Sequence, residues 1–311
     1  MMRLKKVILS CLLPLLFTAC SGLDKGYTGG GKVKILSTTS QIHDLVAYVG
    51  GERVDAQVLI RGSLDPHSYE IVKGDAEKLE KSSLIFYNGL GLEHGASLSA
   101  WLQASSKAIA IGEKIIQLEP NRILKKNEVL DPHIWMDISL WQKGIDPIVE
   151  ALSEADPEGA IQYKERGAKL KEEMAKAHQD LLLQMQKVPA QKRYLVTSHD
   201  AFQYFTRSYL AEPGELHWED RFAAPEGLAP EGQLNPKDIK KIIDFLRDKK
   251  ISVIFPESNV SRDSLRKIAT AGKEMGLEIR ICQEPLYGDA MGGLPYLEMM
   301  RYNIQTIAKY L

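Results

Sequence analysis

Apolar positions along this chain recur in two rhythms, one with the period of a strand and one with that of a helix. Val33 to Leu36, apolar but for Lys34, is a short strand signal, and a helical pattern follows Ser37-Thr38-Thr39-Ser40 through Val49. Val54 to Ile60 alternates like a strand, and Asp75 to Lys81 is helical. Leu84-Ile85-Phe86-Tyr87 is a buried strand closed by Asn88-Gly89, Ala96 to Ala104 is helical, and Ala108 to Ile111 is strand-like. This βαβα order predicts a parallel sheet flanked by helices.

Residues 156–188 depart from that alternation. Asp156-Pro157-Glu158 has the makings of a helix start, with Asp at the cap and Pro in the first turn. Tyr163, Gly167, Leu170, Met174, Ala177, Leu181 and Met185 then recur at helical spacing, an apolar stripe on one face. Pro189 ends the pattern. About 32 residues at 1.5 Å each give roughly 48 Å, enough to cross a whole domain.

After Pro189 the alternation resumes. Strands are expected at Arg193 to Thr197, Ile251 to Phe255 and Leu277 to Cys282. Helices are expected at Ala201 to Tyr209, Pro236 to Lys249, from a Ser261 cap through Met275, and at Leu294 to Leu311. Glu212 to Asn235, rich in Pro, Gly and acid, reads as a long loop. The expected fold is α/β. An N-terminal lobe (33–155) and a C-terminal lobe (189–311), each with a parallel sheet, share one long linking helix (156–188). Ligands of open α/β sheets lie at the carboxyl ends of strands, so the cleft between lobes is the natural site.

The first residues carry a different message. Arg3, Lys5 and Lys6 precede the 11-residue apolar run Val7 to Phe17, and Thr18-Ala19-Cys20 follows. A charged start, a short apolar core and small residues read as a signal peptide over 1–19; a membrane span needs roughly 20 apolar residues. Phe17-Thr18-Ala19-Cys20 resembles a bacterial lipobox, which makes Cys20 the expected lipidation site and 20–32 a flexible tether. Removing the signal leaves 37 basic and 41 acidic residues, a mature charge of -4. Such a balance gives no support to a nucleic-acid partner. Hydrophobic residues make up 44% and charged ones 26% of the 311 residues, which excludes a disordered chain and a multi-span membrane protein. Three cysteines are too few for a disulfide scaffold, and Cys282 is expected to be a small buried hydrophobe.

The chemistry lies in the placement of the histidines. Asp-Pro-His occurs twice, as Asp65-Pro66-His67 and Asp131-Pro132-His133. Proline restrains each loop and the aspartate offers acceptor oxygens to loop amides; a held loop is what a metal ligand requires. His199 stands where the strand Arg193 to Thr197 ends, although a helix N-terminus there does not itself favour a cation. Asp289 lies between Gly288 and Gly292-Gly293, where the backbone can turn tightly and approach a ligand. Three imidazoles and one carboxylate form a four-ligand set suited to a divalent transition metal. Plainer readings remain open at this point: a loop histidine can be solvated, and Asp289 can cap the turn beside Gly288. His43, His94, His178 and His217 acquire no role.

Four ordered motifs resemble those of bacterial zinc/manganese ABC-transporter solute-binding proteins. They are Ser63-Leu64-Asp65-Pro66-His67-Ser68-Tyr69-Glu70, Asp131-Pro132-His133-Ile134-Trp135-Met136-Asp137, His199-Asp200-Ala201-Phe202-Gln203-Tyr204-Phe205 and Gly288-Asp289-Ala290. Pro225-Glu226-Gly227 through Pro236-Lys237-Asp238 resembles the loop leading into the family's next helix, and the likeness spans Val33 to Leu311. The resemblance implies two lobes on a rigid helix, with His67 and His133 from the first and His199 and Asp289 from the second holding one metal ion as cargo. It further implies an exported, membrane-anchored monomer in the periplasm or cell envelope. That protein would deliver its ion to an ABC permease with its ATPase.

The choice of metal falls between two types. Members with a carboxylate at the third position look manganese-selective, whereas this chain has His199; zinc specialists often carry a His- and Asp-rich loop, which Leu118 to Leu130 is not. Intrinsic affinity favours zinc, so zinc is expected to bind tightest in vitro, with manganese or iron possible as the physiological cargo. Affinity is expected to fall as pH drops through the histidine range near roughly 6.5. The competing classes are a zinc hydrolase and a surface adhesin. The chain has no His-Glu-x-x-His, four protein ligands would close a catalytic site, and no enzymatic activity is expected. Glu70 and Asp137 are candidate carboxylates behind the ligands.

Overall fold

The computed structural model describes Tyr27 and residues 30–230 and 234–311. The expected signal peptide and Cys20 lie outside the described residues. Tyr27, within the expected tether, is half-buried, with its hydroxyl 2.7 Å from Ser82 Oγ. An aromatic ring has surface to bury, so Tyr27 rests against the body there.

The first lobe opens with β1 (Val33–Ser37), α1 (Ser40–Gly50), β2 (Val54–Val58), α2 (Asp75–Lys81), β3 (Leu84–Tyr87), α3 (Ala96–Ala104), β4 (Ala108–Ala110) and α4 (Ile111–Leu118). The four strands form one parallel sheet in the order β2-β1-β3-β4. Side chains of β1 alternate between faces. Ile35 joins the main core with Val46, Phe86 and Trp135, and Leu36 joins a second core with Leu59, Ile85 and Leu98. A strand covered on both faces carries apolar residues at adjacent positions, which is why Ile35 and Leu36 stand side by side and only Lys34 near the strand's start is charged.

A hairpin of β5 (Lys125–Lys126) and β6 (Val129–Leu130) follows, which the sequence pattern did not predict. Its turn residues Asn127 and Glu128 have φ of 49° and 65°, the geometry of a tight two-residue hairpin. Helices α5 (Ile138–Trp141) and α6 (Ile145–Ala155) complete the lobe.

Helix α7 (Ala160–Met185) has 26 residues, about 39 Å at 1.5 Å per residue. It is shorter than expected at both ends. One 3-10 turn (Pro157–Gly159) precedes it, and its last residue lies before Pro189. Asp156 makes no side-chain cap; its carboxylate is held by Arg53 at 2.6 and 2.8 Å and by the Tyr163 hydroxyl at 2.6 Å. The predicted stripe from Tyr163 to Met185 is the buried face. It packs on α1, α5 and α6 of the first lobe and on the last helix of the second.

The second lobe contains β7 (Leu195–Val196), α8 (Gln203–Phe205), β8 (Phe222–Ala223), α9 (Pro236–Asp248), β9 (Val253–Ile254), α10 (Asp263–Glu274), β10 (Arg280–Ile281) and α11 (Tyr296–Tyr310). Strands β7 and β8 pair in parallel, as do β9 and β10. Phe255 N–H donates to Val196 O at 2.8 Å, which sets the two pairs edge to edge in the order β8-β7-β9-β10. The regular ladders are shorter than the apolar runs that announce them. Strand β8 falls inside the stretch expected to be loop, because two apolar residues are too few to show a period. Expected helix Ala201 to Tyr209 is instead α8 continued by a π-helical turn, Thr206–Leu210. Ser261 Oγ accepts from Asp263 N–H at 3.2 Å just ahead of α10. Cys282 is buried and unpaired.

Candidate metal centre

His67, His133, His199 and Asp289 converge, and one potential ligand atom from each lies within 4.8 Å of all the others. All four side chains are buried. The Nε2 atoms of His67, His133 and His199 are 3.7, 3.4 and 3.2 Å from Asp289 carboxylate oxygens. None of the three Nε2 atoms, nor Asp289 Oδ1, has a hydrogen-bond partner among the described residues. Polar atoms removed from water and left unbonded are costly. Four of them facing one another form a donor set of three nitrogens and one carboxylate, which fits a transition-metal ion.

Each ligand is set by its own loop. His67 follows β2, and Asp65 Oδ1 accepts its backbone N–H at 2.9 Å. His133 ends the hairpin segment, and Asp131 Oδ1 accepts its N–H at 3.0 Å and lies 2.7 Å from its Nδ1. His199 lies just beyond β7; its N–H donates to Glu257 Oε1 at 2.9 Å, and its Nδ1 is 2.7 Å from Glu257 Oε2. Buried carboxylates behind two of the imidazoles orient the rings and raise their basicity.

Asp289 comes from the second lobe but is clamped by the first. Gln41 Nε2 donates to Asp289 O at 2.7 Å, and Trp135 Nε1 donates to Gly288 O at 3.0 Å. Asn259 Nδ2 adds a donor to Asp289 Oδ2 at 3.3 Å. Gly288 has no room for a side chain, since a Cβ there would lie 2.4 Å from Glu257 Oε2.

The electrostatics follow from burial set against close opposite charge. Burial opposes charge on His133, but Asp131 and then Asp289 outweigh it and push the imidazole up to about 9. Burial likewise opposes charge on His199, and Glu257 and Asp289 raise it well above the ordinary histidine range. Burial would raise Asp289, yet the surrounding imidazoles hold its carboxyl well below the usual range. The protein without metal therefore stores protons on the atoms that would bind the ion.

The two carboxylates expected behind the ligands are elsewhere. Glu70 accepts from Ala96 and Ser97 N–H at 2.7 and 2.8 Å and so caps α3. Asp137 accepts from Leu140 N–H at 3.2 Å and pairs with Arg122 at 2.8 Å. Their motif neighbours misled, because helix caps and ion pairs consume carboxylates equally well. Glu257 was missed, although its position just past an expected strand was a usable signal.

A two-lobed parallel α/β body with a closed cage of three histidines and an aspartate between its lobes defines a metal-handling receptor. The chain belongs to the family of ZnuA, the periplasmic zinc-uptake complex component A, whose profile matches residues 35–310. It is 39% identical over 304 residues to metal-binding protein YtgA of Chlamydia pneumoniae, covering 95% of this chain and 92% of the relative. It is 28% identical over 322 residues to the manganese ABC transporter substrate-binding lipoprotein PsaA of Streptococcus pneumoniae, covering 100% and 99%. The fold matches Fe(III)-bound YtgA from Chlamydia trachomatis with a TM-score of 0.85 at 35% identity, over 89% of this chain and 97% of that one.

Proposed function

We propose that His67, His133, His199 and Asp289 hold one transition-metal ion as cargo, captured outside the cytoplasm and delivered to an ABC permease. The observation that carries this reading is the convergence of four buried, mutually unbonded ligand atoms. Export by the N-terminal signal and a lipid on Cys20 would hold the two lobes at a membrane surface, as in the lipoprotein PsaA. No helix among the described residues is long and apolar enough to cross a membrane.

Zinc is the divalent ion expected to bind tightest, because three imidazoles and one carboxylate suit its tetrahedral preference. Charge adds a second consideration. Asp289, with Asp131 and Glu257 behind two of the histidines, concentrates buried negative charge around the cage. That favours a more highly charged ion, and supports iron beside manganese as physiological cargo, in keeping with the Fe(III) of YtgA. The lobes need only rock apart to release the ion, since breaking the Gln41 and Trp135 bonds frees the Asp289 turn.

Elemental analysis of protein purified from its native envelope tests the reading. Wild-type protein is expected to carry about one ion per chain, and His133→Ala to lose it while keeping its fold. Stoichiometric metal in His133→Ala would remove that residue from the site and overturn the assignment.

A further inference from the structure

We propose that Lys126 and Tyr204 are positioning residues of a clasp that holds the two lobes shut behind the cage and sets the rate at which metal leaves it. The proposal rests on the reading that the cage holds the metal. The β5–β6 hairpin belongs to the first lobe, yet the second lobe grips it. Lys126 Nζ pairs with the Asp200 carboxylate. The Tyr204 hydroxyl accepts from Leu124 N–H at 3.0 Å and donates to Asp131 O at 3.0 Å, so it holds the chain on both sides of the hairpin.

Each end of the clasp is a short step from a ligand. Asp200 follows His199 directly. Asp131 stands just before Pro132-His133 and lies 2.7 Å from the His133 Nδ1. The clasp therefore bridges two segments that carry one ligand from each lobe. Lobes that part to free the ion must break it, just as they must break the Gln41 and Trp135 bonds to the Asp289 turn. The two sets of bonds act on different ligands: Asp289 in one case, His133 and His199 in the other.

The hairpin has little else to hold it. Lys125 through Val129 are exposed. Beside it lies a cleft of about 250 Å³, lined by Leu124, Lys126 and Asp131 from the first lobe and by Gln203 and Trp218 from the second. An interface made of discrete polar bonds around a cleft loses little apolar burial on opening, so those bonds set its resistance.

The paired charges are unequally placed. The Asp200 side chain is 1% exposed and that of Lys126 is 46% exposed. Asp200 is compensated by Lys126 while the lobes are closed and gains water when they open, so removing Lys126 penalises the closed state. Charge alone acts the other way. Deleting a cation near the cage strengthens the attraction for a metal ion and slows its release. The sign of the effect separates the clasp from the field.

Stopped-flow release of Zn(II) from the loaded full chain into excess chelator tests this. Lys126→Ala is expected to release about tenfold faster than wild type. Tyr204→Phe, which keeps the ring and loses both bonds, should release about fivefold faster. Raising salt from about 0.02 to about 0.5 M should speed wild type more than Lys126→Ala, because the ion pair is the contact that salt weakens. Lys126→Arg keeps the charge, and Lys125→Ala removes a neighbouring one from the same strand; both should stay within about threefold of wild type. Release from Lys126→Ala at or below the wild-type rate would overturn the clasp in favour of a field effect. Equal acceleration in Lys125→Ala would overturn it too, since any lost lysine would then suffice. A wild-type chain that takes up no zinc would instead overturn the cage reading, and the clasp with it.

Discussion

In Asp65-Pro66-His67 the aspartate is partly exposed; it accepts the His67 N–H at 2.9 Å and the Ser68 hydroxyl at 2.6 Å. In Asp131-Pro132-His133 the same residue is buried; it accepts the His133 N–H at 3.0 Å and also reaches the imidazole Nδ1 at 2.7 Å. The tripeptide therefore encodes the turn in both places, through the same aspartate-to-amide bond. Whether the aspartate also polarises the ring is decided by what covers it. Asn88 Nδ2 donates to Pro132 O, and the Tyr204 hydroxyl, from the other lobe, donates to Asp131 O, each at 3.0 Å. These contacts seal the second loop, while Leu64 beside the first is 53% exposed.

The sharpest way to break this comparison is to remove each aspartate in turn. Asp131→Ala leaves the His133 Nδ1 without its buried carboxylate and is expected to lower metal affinity about 10- to 100-fold, the usual cost of losing a partner behind a ligand. A chelator competition on wild type and variant measures it. An affinity loss no larger than that of Asp65→Ala would mean that burial does not distinguish the two loops.

A second effect concerns protons. His133 at about 9, with His199 also raised, places the competition between proton and metal well above the ordinary histidine range expected from sequence. Affinity should keep rising with pH until about 9, and binding at neutral pH should expel protons, countable by calorimetry in buffers of different ionisation enthalpy. The metal-free protein should respond in the opposite sense. A folded pKa raised above the unfolded value near roughly 6.5 gives stability that is full below 6.5 and lost as pH rises through about 9. In Asp131→Ala the His133 part of this window should retreat toward about 6.5. A window unchanged by that substitution would assign the shift to Asp289 instead.

What the sequence disclosed and what it hid divide along the same line as the two loops, local against distant. The bounds of α2, α3 and β3 match the pattern residue for residue, because each is a short periodic run with its own stop. The four cage residues stood in recognisable motifs. The start of α7 did not follow its signals, because Asp156 is claimed by Arg53, 103 positions away. Glu257 lies 58 positions from the His199 it holds, and Gln41 lies 248 from Asp289. No local period records such pairs. Strands β7, β9 and β10 of the second lobe were found as apolar runs, but only two residues of each enter a regular ladder, so their bounds were overdrawn.

The smallest effect tests the other side of the comparison. Asp65→Ala removes two hydrogen bonds, an exposed one to Ser68 and a part-buried one to His67 N–H, on a loop whose aspartate is itself partly exposed to water. Each such bond contributes about 0.5 kcal/mol net, the low end of the usual range, so a stability loss of about 1 kcal/mol for the two is expected from the denaturant midpoint. Pro66 is unchanged and still restrains the turn. His67 also keeps the bond from His94 N–H to its carbonyl, which holds the loop from the opposite side. The ring therefore stays in place, and metal affinity should change by less than about threefold, within about 0.65 kcal/mol. Asp65→Asn, which retains an acceptor for the His67 N–H, should lose about half as much stability. An affinity loss in Asp65→Ala approaching that of Asp131→Ala would show that Asp65 governs the imidazole as well as the turn, and the two tripeptides would then be equivalent.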